Sequence, residues 1–553
     1  MEVEFLAGLT PILLAVSAFI PPLISLLTKN RYVYSAYLTV LSILTLVFTS
    51  MVFSNVVLKG KPIVYPFGGW PPPLGITYEV DFVSAILTLV TSILMVTVSV
   101  YSFWYYSKIE RGAEWLTTLL LLLYAGIVGC LYTGDLFNFF VMLEVLCISS
   151  YALVAFFKKR MWAIEASTSY AFIGALATTL FLLGVIYIYA SFGTLNMADI
   201  AAKSHGIEAD FLYMWSGVCR GYRCVGNIAI ASAIAVALML WALTFKAGLF
   251  PNNFWVPGAY TEAPTPASAL FAGIVDKVGT YGVLRIFFTL FTAYGSTIIF
   301  SISGIPFRDA VLSILSYLGL LTGYLGASFM AIQNDVKRLL AYSTISHIGI
   351  IFVALGATTS NLPENVNVLA LTAIMFHMIT HAIGEPSLFL SLGALATIAK
   401  SRRLQDMAGY GRLYPALGMS TVIGLLSLLG VLPLAGFFSK YMLFLALVDA
   451  NLLLHAISII LISGISAIGY FRILYTLLIL KPRKVGNRVE KEKVLGADIA
   501  CLLLAILLIA LGIATLLGYV IEPLIENVAT SLGPKGYLNY IEVANIIAKV
   551  MSP

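Results

Sequence analysis

Charge is scarce in this chain. Asp, Glu, Lys and Arg make up 10% of its 553 residues, and 60% are hydrophobic. A soluble domain is roughly a quarter charged and half apolar, so these figures exclude a water-soluble globular protein. Cysteine is scarce too. The five, Cys130, Cys147, Cys219, Cys224 and Cys501, show no spacing that would ligate an iron–sulfur cluster. A Gly-rich phosphate loop and a dinucleotide fingerprint are both missing. Redox or nucleotide chemistry is therefore expected in other subunits and not in this one. Cys219 and Cys224, in VCRGYRC, fall in an expected loop, where a disulfide and two free thiols both stay open. The net charge of +6 comes from basic loops and does not argue for a nucleic-acid partner.

Long apolar runs are what the chain has in abundance. They reach about 20 residues or more, enough for a helix to cross roughly 30 Å of hydrocarbon and far more than a barrel strand needs. The fold class is therefore an all-α polytopic membrane protein. Runs near 5–27, 33–57, 80–106, 115–133, 135–157, 165–190, 226–250, 265–291, 308–331, 339–358, 366–399, 413–448, 452–479 and 495–520 predict about fourteen transmembrane helices. The start, MEVEFLAGLTPILL, lacks the basic residues of a signal peptide, so the first helix is expected to be retained.

Basic residues set the orientation. With the N-terminus outside, about 19 Lys and Arg fall in inner connections, among them Lys29, Arg31, Lys108, Arg111, Arg402, Arg403, Arg483, Lys484, Arg488 and Lys491, against about 8 in outer ones. Both termini are expected outside, in a multi-pass protein of the cytoplasmic membrane.

Five basic residues remain within spans: Lys246, Lys277, Arg285, Lys440 and Arg472. A charge at mid-bilayer costs about 2.5–3.5 kcal/mol on insertion scales, so such residues usually face a polar interior and mark an ion path. Arg285 and Arg472 stand near helix ends, where long side chains can snorkel. Glu144, in FFVMLEVLCISSYAL, and Glu385 are acidic counterparts, and a structural bridge between helices is the plainer alternative for any one pair.

Lys246 lies one turn before Pro251, and Lys440 follows Pro433 and Gly436, which predicts that helices 7 and 12 are broken beside their lysines. The echo divides the chain into residues 1–114 with helices 1–3, a five-helix unit at 115–292, a second at 293–480, and a basic loop, helix 14 and tail at 481–553. An odd number of spans per unit makes the two repeats inverted.

The stretch MFHMITHAIGEPSLF places His377, His381 and Glu385 at i, i+4 and i+8, on one helix face. Histidine titrates nearest neutral pH, which suits proton shuttling. Backbone-bonded core histidines are the alternative, and His-x3-His without further ligands is weak evidence for a metal.

These segments resemble a known family. DLFNFFVMLEVLCISSYALVAF, FKAGLFPNNFWVPGAYTEAPTPASALFAGIVDKVGTYGVLR, IQNDVKRLLAYSTISHIGI, FHMITHA and LSLLGVLPLAGFFSK follow one another as in the antiporter-like subunits of respiratory complex I, of membrane-bound group 4 hydrogenases and sulfur-reducing complexes, and of Mrp-type cation/proton antiporters. The resemblance implies a proton path of Glu144, Lys246, Lys277, His377, His381, Glu385 and Lys440, with Glu144 and Lys246 as a charge pair. His347 and Lys337 are additional candidates.

It also implies no cofactor in this chain. Iron–sulfur clusters, and in hydrogenase-like assemblies a Ni–Fe centre, are expected in a peripheral redox module. Other expected partners are small hydrophobic antiporter-type subunits, membrane lipid, and H+ with Na+ as the alternative ion. An Mrp-type antiporter without a redox module and a scaffold with a vestigial path are the competing readings. Two departures support the scaffold: Glu385-Pro386 where relatives carry lysine, and Asn253 where they often carry histidine.

Overall fold

The computed structural model describes residues 2–207, 228–292, 301–302, 304–482 and 492–551. Cys219, Cys224, Arg483, Lys484, Arg488 and Lys491 lie outside these residues. In chain order the elements that matter are α1 (Glu2–Ser17), α2 (Ile20–Leu27), α3 (Arg31–Lys59), the hairpin β1 (Ile63–Pro66) and β2 (Thr77–Val80), α4 (Phe82–Tyr105), α5 (Ala113–Tyr132), α6 (Leu136–Val154), α7 (Met161–Phe192) and α8 (Met197–Ser204). They continue with α9 (Ile228–Ala247), α10 (Val256–Glu262), α11 (Thr265–Leu270), α12 (Asp276–Arg285), α13 (Phe307–Ile332), α14 (Val336–Val353), α15 (Glu364–Ala399), α16 (Tyr410–Leu413), α17 (Pro415–Leu429), α18 (Ala435–Asp449), α19 (Leu453–Leu474), α20 (Leu495–Leu516), α21 (Ile521–Leu532) and α22 (Gly536–Met551).

Twelve helices among the described residues are long and apolar enough to cross a membrane, or thirteen if the pair Leu404–Leu413 and Pro415–Leu429, bent by 113°, is one span. The other two of the expected fourteen are helical but differ in kind. Residues 265–290 form one buried helix through α11, a π turn at Phe271–Val275 and α12, and carry Asp276, Lys277 and Arg285. Residues 413–448 are split into α17 and α18.

The β1–β2 hairpin marks one face of the molecule. The ring of Phe5 meets Tyr65 at 6.2 Å and Lys61 pairs with Glu542 at 3.1 Å, so the first and last helices reach this hairpin face together. From Asp81 there, α4 runs to Tyr105 at the opposite face. Arg31 closes that opposite face, donating to the carbonyls of Tyr106, Ser107 and Glu110.

The two five-helix units are upside down relative to each other. Asp135 caps α6 at the hairpin face, where Thr133 bridges Tyr78. Asp335 caps α14 at the opposite face, where Lys337 donates to the Ala263 carbonyl at 2.6 Å, beside Thr265, whose N–H donates to Tyr105 Oη at 3.3 Å. Corresponding glycines seat the first helix pair of each unit. A Cβ on Gly126 would lie 2.6 Å from the Leu146 nitrogen, and one on Gly326 2.5 Å from the Ser346 nitrogen. Gly326→Val is therefore expected to pry α13 from α14 and cost about 1–3 kcal/mol by overpacking, read as a lower midpoint of thermal denaturation in detergent.

Both expected breaks are present. Lys246 is the last residue but one of α9, before the chain resumes as α10, and Lys440 is on α18 after the gap that follows Leu429. Pro386 does not interrupt α15, which runs unbroken over 36 residues. Its ring is accommodated by Gly273 in the π turn opposite, where a Cβ would come within 2.7 Å of the proline Cγ.

Candidate functional site

Buried polar side chains form a line across the middle of the molecule, and Lys277 begins it. A π turn takes carbonyls out of the regular helical ladder. The Ala272 oxygen in that turn accepts from Lys277 Nζ at 2.6 Å. The same ammonium lies 2.9 Å from Asp276 Oδ1 and 2.6 Å from His381 Nδ1, and all three residues are buried.

His381 carries the line into α15. Its Nε2 is 3.7 Å from an oxygen of Glu385, one turn further on. Glu385 is fully buried and accepts from Ser343 Oγ at 3.1 Å and Thr344 Oγ1 at 3.3 Å, both on α14. Ser343 Oγ lies 2.8 Å from Tyr470 Oη of α19, which lies 3.2 Å from His347 Nε2. His347 Nδ1 is 3.1 Å from His377 Nε2, and His377 Nδ1 is 3.0 Å from Ser439 Oγ. The next residue, Lys440, donates to Ser463 Oγ at 2.9 Å. Lys277, His381, Glu385, His347 and His377 thus share one run of contacts, with Lys440 beside its end. Every histidine in it can donate on one nitrogen and accept on the other.

The charge pair expected at the other end is not formed. Lys246 Nζ donates to Tyr170 Oη at 3.0 Å and lies 3.5 Å from Cys147 Sγ. Glu144 makes no ion pair with it among the described residues. Its place on α6 explains this: Glu144 falls between Val141 and Ile148, 37% and 62% exposed, on the stripe that faces away from the chain, and is itself half-buried. Cys147, one turn on, takes the inward position instead. Beside Lys246 stands an aromatic wall in which Tyr170 and Trp255 stack at 4.0 Å and Trp255 meets Tyr260 at 6.0 Å.

Lys337 lies apart from the line, at the opposite face. There Arg402 pairs with Glu262 at 2.8 Å and Asp335 at 3.0 Å. Asn253 sits in the break after Lys246, where its carbonyl accepts from the Val256 N–H at 3.2 Å.

The sequence reading missed Asp276, Ser343, Tyr470, Tyr170 and Cys147. Asp276 had a signal, since an acid next to a lysine within a buried helix is as costly as the lysine itself. The hydroxyl and thiol positions had none, because such residues are ordinary in membrane helices.

A family model described as NADH:quinone oxidoreductase/Mrp antiporter, TM, matches residues 133–466. Over 537 residues the chain is 30% identical to the N subunit of the NADH-quinone oxidoreductase of Desulforudis audaxviator, covering 95% of this chain and 97% of that one. It is 32% identical over 465 residues to an Na(+)/H(+) antiporter subunit of Alkalihalophilus pseudofirmus, covering 84% of each. In three dimensions it resembles a chain of the membrane-bound sulfane sulfur reductase, an archaeal respiratory membrane complex. The TM-score is 0.82 at 28% identity, over 98% of this chain and 100% of that one.

Proposed function

This chain belongs to the NADH:quinone oxidoreductase/Mrp antiporter membrane family, and from that premise we propose that it is the proton-conducting, antiporter-like subunit of a larger membrane complex. The observation that carries the reading is the run of side-chain contacts from Lys277 to Ser439, in which no step exceeds 3.7 Å.

A proton leaves Lys277 Nζ for His381 Nδ1 as the proton on Nε2 passes to Glu385. From Glu385 it moves through the Ser343 and Tyr470 hydroxyls, each of which takes one proton on its oxygen and releases another. His347 and His377 relay it ring by ring to Ser439, beside Lys440. Asp276 and the Ala272 carbonyl accept from Lys277 and so stabilise its charged form. The proton suits this line better than Na+, because its members are groups that both give and take protons, and Glu385 is already met by Ser343, Thr344 and His381. Lys246, with Tyr170 and Cys147, acts upstream of the aromatic wall. Glu144, on the outward stripe of α6, acts toward a neighbouring subunit. Lys337 stands at the opposite face, which is read as the cell interior with both chain ends outside, a reading supported by the excess of basic residues in its connections.

The driving module is read as a redox module holding iron–sulfur clusters, supported by similarity along nearly the whole chain to the sulfane sulfur reductase chain. Similarity to a subunit of an Na(+)/H(+) antiporter supports the second reading, an assembly without redox centres. Purifying the tagged chain from its native membrane in mild detergent decides between them. Stoichiometric iron, with or without nickel, in the co-purifying complex supports the first; small hydrophobic partners without iron support the second.

A further inference from the structure

The polar groups where α4 and α12 reach the hairpin face take no part in the midplane line. Asp81 caps α4, accepting from the Ser84 N–H at 3.0 Å, and is clamped by Arg285 through Nη2–Oδ1 at 2.5 Å and Nη1–Oδ2 at 2.8 Å. Arg285 Nε donates to Tyr281 Oη at 2.9 Å. Lys277, Tyr281 and Arg285 are one turn apart on α12, so one helix face leads from the midplane line to this cluster in steps of about 6 Å.

Glu79 of β2 is the unexplained member. It is 0% exposed, and neither carboxyl oxygen has a hydrogen-bond partner among the described residues. Burial pushes its carboxyl well above the usual range, the Arg285 charge opposes this and Asp81 adds to it. Among the described residues Tyr540 of α22 also faces it, its ring lying under the Arg285 guanidinium at 5.4 Å. Arg285 directs both terminal nitrogens to Asp81, and Glu79 has no such partner among the described residues. Asp81 and Tyr540 also line a narrow crevice at the hairpin face, together with Lys61, Asn527 and Asn539. Glu79 does not itself line this crevice, but its neighbours Asp81 and Tyr540 do, and a purely structural acid has no need of a carboxyl left without a hydrogen-bond partner.

We propose that Glu79 is a proton-exchange site through which the first five-helix unit communicates with the aqueous phase at the hairpin face, gated by the Asp81–Arg285 pair. When Arg285 swings from Asp81 to Glu79, the Glu79 O–H bond breaks, a crevice water takes the proton, and the guanidinium neutralises the new carboxylate. Return of Arg285 to Asp81 reverses the step. The inference rests on the proton-conducting reading of this chain.

The test uses the whole complex in liposomes. In the parent, the carbonyl-stretch infrared band of a protonated carboxylic acid should shift when D2O reaches the hairpin face, and Glu79→Gln should remove that band. The variant should lower proton translocation at least about tenfold, and Glu79→Asp should restore part of it. A Glu79 band that does not exchange, or translocation at the parent rate in Glu79→Gln, overturns the proposal. Lys277→Met in the same liposomes separates the two readings. If that variant is silent while Glu79→Gln conducts normally, only the exchange site fails; if Lys277→Met conducts at the parent rate, the midplane line itself fails.

Discussion

Replacing Lys277 by Met is expected to lower proton translocation by about 10²-fold or more, the range lost when a positioned proton-transfer group is removed. Among the described residues Lys277 contacts Asp276, the Ala272 carbonyl and His381 at once, so its step depends on it. Methionine keeps much of the length and buried bulk but neither donates nor carries charge. It also leaves Asp276 buried without its cation, which is destabilising in its own right. Asp276→Asn combined with Lys277→Met removes both charges and restores the balance. If the double variant assembles and still fails to pump, the loss belongs to the relay and not to folding. Proton uptake by liposomes holding the assembled complex is the measurement, and conduction at the parent rate would refute the role.

Arg285→Ala is expected to cost about 3–5 kcal/mol of stability, the range for removing one partner of a buried ion pair. Arg285 is 2% exposed, and Asp81, which it grips through two hydrogen bonds, is also 2% exposed. The loss would strand Asp81 beside Glu79 with no positive charge between the two acids. Asp81→Asn with Arg285→Met should recover much of the deficit, since replacing a whole buried pair by neutral groups is often close to neutral. Unfolding monitored by thermal denaturation of the purified complex reads both. A single variant as stable as the parent would mean that water, and not Arg285, satisfies Asp81.

Lys277, His377, His381, Glu385 and Lys440 were legible in the sequence because a titratable group in an apolar run is costly and must be matched by something polar. Arg285 was visible too, yet snorkelling remained open until Asp81 was found clamped against it. Glu144 and Lys246 were equally visible, and the pairing assigned to them is absent, because a run of letters does not fix how helix faces are rotated. Three positions along α6 separate the outward stripe of Glu144 from the inward place of Cys147. His347, an additional candidate from the sequence, touches both His377 and Tyr470. Pro386, one of the departures that supported the scaffold reading, lies within an unbroken helix and is absorbed by a π turn and a glycine more than a hundred residues earlier in the chain.

By itself the sequence determined the medium, the approximate number and length of the spans, and which titratable residues lie within them. These follow from composition, run length and the cost of buried charge, which act locally along the chain. Only the tertiary structure decided which hydroxyls complete the line, that Cys147 and Tyr170 hold Lys246, and that Glu79 lies unpaired next to Arg285. Hydrogen bonds have a reach of about 3 Å, and which groups from distant helices come within it depends on the rotation and close approach of packed helices, which no single segment encodes.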